Sequence, residues 1–97
     1  MQMTIDYPKG KSFELRVKDT GALDQFDVFV NGTLRTHVSD GDVHQYPIEQ
    51  PTGALAIAVH FEGTDGGKSA IVDVTDSGNP SVVSSQNGLI HSYILRG

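Results

Sequence analysis

Several residue types and patterns are missing from this 97-residue chain, and each absence excludes a class of protein. There is no cysteine, which excludes a disulfide framework and a zinc site built from thiolates. There is no tryptophan, so the flat ring on which sugars often stack is missing. The longest apolar run covers residues 54–59 and is far too short to span a bilayer.

The charge is acidic and dispersed. Twelve acidic and seven basic residues give a net charge of −5, and the lysines and arginines are scattered along the chain. Nucleic-acid binding needs a concentrated basic face, so we do not expect it. The N-terminus lacks the layout of a signal peptide. We therefore expect synthesis in a cytoplasm, or earlier removal of a signal, and leave the location open.

The apolar pattern predicts strands along nearly the whole chain. Phe13, Leu15 and Val17 alternate with polar neighbours, which is the period-2 pattern of a strand with one buried face. No segment carries the apolar stripe of a helix. Phe13, Phe26 and Phe61 are expected in the core, and Phe29 on the opposite face of its strand. The predicted strands cover residues 3–7, 12–18, 25–31, 33–38, 42–48, 54–62, 68–75, 81–86 and 89–95.

Three hairpins are predicted from the turns between these strands. Asn31-Gly32 suits a type I′ turn, because both residues accept positive φ angles. Asn87-Gly88 is expected to join residues 82–86 to 89–95, and the glycine-rich loop 63–67 to join 55–62 to 69–75. Residues 77–80 are the best candidate for a break in the chain.

These features predict one domain over residues 1–97, an all-β, two-sheet antiparallel β-sandwich, with a barrel less favoured. The body would cover about residues 1–76, and an added C-terminal hairpin about residues 81–95.

Two hairpin-like patterns cover half of the chain: Phe26-Asp-Val-Phe-Val-Asn-Gly-Thr-Leu, and residues 54–61 with the glycine-rich loop and residues 71–74. The first resembles the central hairpin, and the second the last hairpin, of fibronectin type III and other immunoglobulin-like domains. The resemblance implies an immunoglobulin-like body.

A second pattern consists of Val30-Asn31-Gly32 and Val59-His60-Phe61, with Asp65 in the loop that follows. It resembles a hairpin and a later strand of small calcium-dependent xylan-binding modules. This resemblance implies calcium-dependent binding of carbohydrate.

Acidic residues and histidines supply the candidates for a metal site. The calcium candidates are Asp40 with Asp42, and Asp65 in the glycine-rich loop, because calcium prefers several carboxylate oxygens at one point. The alternative is that these residues only make turns. His37 and His44 lie on strands that could be neighbours, so a two-histidine site is conceivable, against the alternative of solvated strand histidines. Further acidic pairs are Glu62 with Asp65 and Asp73 with Asp76.

No catalytic motif is recognisable, and we do not expect an enzyme. The serines lie in no strand-turn-helix elbow, and the loop 63–67 lacks the lysine and the helix of a phosphate cradle.

The last predicted strand has apolar residues on both faces. Leu89 and Leu95 share one face, and Ile90 and Ile94 share the other. Such a strand lies centrally in its sheet or is covered by another element. A second subunit could be that cover, so we predict that residues 81–95 form an assembly surface or an exchanged hairpin, with Ile90, Tyr93 and Ile94 as contact residues. Tyr93 could instead satisfy a hydrogen bond at a corner of the fold.

The sequence therefore favours a non-catalytic structural or interaction protein that acts through protein–protein assembly or self-association. Virion or tail accessory (decoration) proteins of phages are one such class. The alternative is a carbohydrate-binding module, which could depend on calcium, and a small enzyme or enzyme inhibitor comes third.

Overall fold

In a computed structural model, the described part of the chain forms nine β-strands and no helix. The structure describes residues 2–19, 25–39, 43–49, 53–63, 66–75 and 78–97. No helix in these ranges has the length and apolar character needed to cross a membrane. Each predicted strand is present within two residues of its predicted ends. The strands are β1 (Gln2–Asp6), β2 (Phe13–Asp19), β3 (Gln25–Val30), β4 (Thr33–Val38), β5 (His44–Ile48), β6 (Ala54–Glu62), β7 (Gly67–Asp73), β8 (Ser81–Gly88) and β9 (Ile90–Arg96).

The strands form two sheets, as predicted for a sandwich. The five-stranded sheet has the order β1-β9-β6-β3-β4, and the four-stranded sheet has the order β5-β2-β7-β8. The prediction that every pair is antiparallel is wrong, because β1 and β9 pair in parallel. Parallel neighbours need a long connection, and these two strands are joined by almost the whole chain.

The hairpin at Asn31-Gly32 is confirmed. β3 and β4 pair antiparallel, and the turn residues have φ angles of 50° and 79°, both in the left-handed region that a type I′ turn requires. The register shifts between Val28 and Phe29, which is a β-bulge.

The other two predicted hairpins are wrong. β6 lies in the five-stranded sheet and β7 in the other, and β8 and β9 are separated in the same way. A glycine-rich connection between alternating strands has the same local pattern whether the chain folds back beside itself or crosses to the opposite sheet. The predicted break at residues 77–80 instead lies between β7 and β8, which pair with each other.

The core lies between the inner faces of the two sheets. Phe13, Phe26 and Phe61 are buried there, as predicted. β9 lies between β1 and β6, so the strand with two apolar faces is a central strand of its sheet, not part of an added hairpin. The other buried apolar side chains of this core are Ile5, Tyr7, Leu15, Val17, Val28, Ile48, Ile57, Val59, Ile71, Tyr93 and Leu95.

Candidate functional site

Among the described residues, the outer face of the five-stranded sheet combines an apolar surface with a group of titratable side chains. Because neighbouring strands are in register, outward side chains form rows across the sheet. One row crosses from β4 to β1 through Leu34, Phe29, Ala58, Ser92 and Gln2.

Apolar and small side chains occupy the middle of this face, and we call them the apolar stripe. The Phe29 ring is half-buried on the sheet surface, and Leu34 beside it is 53% exposed. No charged residue interrupts the stripe, and a shallow depression of about 260 Å³ lies over its small residues. The apolar stripe consists of Leu34, Phe29, Ala58, Ala56 and Ile94.

Titratable side chains follow on the same face: His37, Asp27 and His60 form the next row, and Glu62 lies one row further along β6. We call these four side chains the titratable cluster. Asp27 on β3 lies directly between His37 on β4 and His60 on β6. Asp27 Oδ1 lies 2.5 Å from Nδ1 of His37. The His60 ring packs instead against Phe29, with ring centres 5.0 Å apart.

Three of these side chains converge on one point. A carboxylate oxygen of Asp27, a carboxylate oxygen of Glu62 and a ring nitrogen of His37 all lie within 4.8 Å of one another. Imidazole together with carboxylates is a donor set for transition metals, whereas calcium needs six to eight oxygens. This is the one group of three such ligands in the described part of the chain.

A cleft of about 560 Å³ opens between the two sheets beside β4 and β5. Its floor is apolar and includes Leu15, Val28 and Ile57, and the ring of Tyr46 lines it. Arg35 and Glu49 bring charge to its lining. A cavity of this size with an apolar floor and a few polar groups is typical of small-molecule sites.

A buried serine and histidine lie in hydrogen-bond contact elsewhere in the fold. Ser69 Oγ is 2.5 Å from His91 Nδ1, and burial lowers the pKa of His91. The pair resembles a nucleophile and its base, but Ser69 is only 3% exposed and His91 is fully buried. No substrate carbonyl can reach the serine, so this contact joins the two sheets and does not form an active site.

The predicted contact residues do not form one surface. Ile90 is 63% exposed and Ile94 is half-buried on the outer face. Tyr93 points inward and is fully buried, so its predicted surface contact is wrong, because the strand alternation that turns Ile94 outward turns Tyr93 into the core. The alternative that Tyr93 satisfies a hydrogen bond holds, since its hydroxyl bonds Ser69.

The predicted metal ligands are only partly covered by the structure. Asp40, Asp42, Asp65 and Asp76 lie outside the described residues, so the predicted calcium sites stay predictions. The predicted pairing of His37 with His44 is wrong, because the two histidines lie on different sheets. The ring of His44, on the other sheet, lies edge-on to Phe26 with centres 5.6 Å apart, while His37 bonds Asp27.

Sequence reasoning missed Asp27 and its link to His37. Regular pairing outward from the Asn31-Gly32 turn would place Asp27 opposite Thr36, and the bulge between Val28 and Phe29 brings it opposite His37. Glu62 joins them only because β6 pairs with β3, which no local pattern indicates.

No family model matches the chain, and neither the curated proteins nor the solved structures give a match to it.

Proposed function

We propose that this chain is a non-catalytic interaction protein that assembles with a second copy of itself through the apolar stripe. The observation that carries the proposal is an uncharged stripe across four neighbouring strands, next to the exposed Ile90. The immunoglobulin-like connectivity implied by the resemblance stays a prediction.

A symmetric pairing suits the distribution of charge on this face. In an isologous interface the same patch packs on itself, and an apolar stripe is complementary to its own copy. A two-fold axis along the stripe brings each titratable cluster over the far side of the partner's stripe on the same strands, β3, β4 and β6, where Ala54 is exposed and uncharged, and not over the same cluster. The two acidic clusters are thereby kept apart.

The molecular mass in solution tests this proposal. We expect light scattering after size exclusion to give a mass above the 10.4 kDa of one chain, rising with concentration. Ala58→Glu and Leu34→Glu each place a charge in the apolar stripe and should restore the mass of one chain. Val82→Glu is the control, because Val82 is 65% exposed on the other sheet.

Two results would contradict the proposal. One is a wild-type protein that stays monomeric at millimolar concentration. The other is a dimer that Val82→Glu dissociates while Ala58→Glu leaves it intact.

The cleft between the sheets favours carbohydrate binding as a second candidate function. It combines the ring of Tyr46 with the hydrogen-bonding groups of Asn31, Arg35 and Glu49. Aromatic and polar groups together are the usual lining of ligand sites.

Titration with a xylo-oligosaccharide, in calcium and then in a chelator, tests this candidate. We expect Arg35→Ala to abolish binding and Lys9→Ala, on an exposed turn, to leave it unchanged. Absence of binding in calcium and in chelator would eliminate the candidate.

A further inference from the structure

The titratable cluster has a feature that assembly does not require. Asp27 and Glu62 bring two carboxylates together in a protein whose net charge is already −5. Glu62 has no ion-pair partner among the described residues, and Asp27 pairs with His37 alone. Like charges this close repel each other, and a bound cation would remove the repulsion.

We propose that Asp27, His37 and Glu62 bind a divalent transition metal ion, with zinc as the probe. Zinc takes imidazole and carboxylate ligands, and open zinc sites use three protein ligands and a water molecule. The cluster supplies one nitrogen and two oxygens from separate side chains.

The scaffold suits such a site. The three ligands come from β4, β3 and β6, which are adjacent strands of one sheet, so their backbones are fixed by the ladder. Bonds of about 2.0–2.2 Å in a tetrahedral site put ligand atoms roughly 3.3 Å apart. The atoms lie within 4.8 Å, and His37 and Glu62 are exposed, so rotation of their side chains can close the gap. On binding, the metal ion displaces the proton of the hydrogen bond between Asp27 and His37.

The choice of metal class follows from the imidazole. Calcium and magnesium prefer oxygen ligands and larger ligand counts than this cluster supplies. Which transition metal ion occupies the site depends on the coordination geometry and on which ion is available to the protein. Copper or nickel would bind the same donor atoms.

Calorimetric titration of the untagged protein with zinc chloride tests the site. We expect one zinc per chain, and a raised melting temperature because the ion binds only the folded form. His37→Ala, Asp27→Asn and Glu62→Gln should each weaken binding by at least about tenfold. Two controls are matched. Asp6→Asn removes one exposed carboxylate on the same face, and His60→Ala removes the neighbouring imidazole; both should bind zinc as the wild type does.

A second measurement does not depend on the variants. Amide signals of the wild-type protein in two-dimensional NMR should shift on zinc addition around Asp27, His37 and Glu62. The proposal is overturned if millimolar zinc produces no heat and no shift. It is also overturned if calcium binds more tightly than zinc, or if His60→Ala weakens binding as much as His37→Ala. Failure of the dimer test leaves this site unaffected, since the metal requires one chain only.

Discussion

Ser69 on β7 and His91 on β9 join the two sheets through a hydrogen bond of 2.5 Å between Oγ and Nδ1. His91 Nε2 lies 3.0 Å from the carbonyl oxygen of Gly88, which can only accept, so Nε2 carries the proton. Nδ1 therefore accepts from Ser69, and Ser69 accepts from the Tyr93 hydroxyl at 2.7 Å. Each donor of this buried network therefore has an acceptor.

Removing the serine hydroxyl should destabilise the fold. Ser69→Ala leaves His91 Nδ1 and the Tyr93 hydroxyl without their partner in the core, and an unpaired buried polar group costs about 1–3 kcal/mol. Urea unfolding measures the change. Ser85→Ala, on an exposed position of β8, is the control and should stay within about 0.5 kcal/mol of wild type. Equal values for the two variants would show that the network contributes nothing.

The stability of the fold should fall in mild acid because of His91. Burial lowers its pKa below the ordinary 6.5, so the unfolded chain binds this proton more tightly than the folded chain does. The contribution of neutral, buried His91 to the free energy of unfolding is fully present above pH 6.5. Below pH 6.5 that free energy falls with the pH, by at most about 1.4 kcal/mol per pH unit. Asp73, whose pKa is lowered by the backbone N–H of Thr75, affects stability only near or below 3.8.

Urea unfolding between about pH 8 and about pH 5 therefore tests the role of the histidine. His91→Gln should flatten the dependence even if it lowers the overall stability, whereas His60→Gln, on the exposed face, should keep the wild-type slope. A wild-type free energy of unfolding that stays constant over this range would contradict the role of His91.

Gly67 should not tolerate a side chain. A Cβ at this position would meet the ring of Phe61 and would lie 2.6 Å from the backbone oxygen of Lys18, which cannot move without breaking the β2–β7 ladder. Overpacking of this kind costs about 1–3 kcal/mol or more, so Gly67→Ala should lower the urea midpoint. Gly53→Ala is the control, since its Cβ has nothing within 4 Å. Equal midpoints for the two variants would refute the close approach.

The strands could be predicted from the sequence because alternation is a local property. The inward positions of Phe13, Phe26 and Phe61 followed from the same pattern, and the φ angles of Asn31 and Gly32 followed from residue type. The assignment of strands to sheets could not be predicted. Gly66 approaches the backbone of Gly88 where the chain crosses between sheets, and this contact joins residues far apart in sequence.

The candidate site was less predictable than the fold for the same reason. Asp27 and His37 meet through a local hairpin, but regular pairing from the turn would place Asp27 opposite Thr36, and only the bulge between Val28 and Phe29 brings it opposite His37. Glu62 and the apolar stripe depend on the pairing of β6 with β3 and β9, which is fixed by the whole core. Tyr93 could not be placed from the sequence either, because the alternation of polar and apolar residues does not distinguish an exposed tyrosine from a buried one that is hydrogen-bonded.

Lys18 and Lys68 lie directly opposite each other on β2 and β7, on the outer face of the four-stranded sheet. Neither has an ion-pair partner among the described residues, and like charges at such positions destabilise a sheet. Lys68→Glu turns the repulsion into attraction and should stabilise the protein by roughly 0.2–1 kcal/mol in urea unfolding. Lys9→Glu makes the same change of net charge on a turn without this neighbour, and should give no such gain. Because both lysines are exposed, salt screens their interaction, and the gain should shrink at about 1 M sodium chloride. A gain that persists at high salt would show that packing, not charge, is responsible.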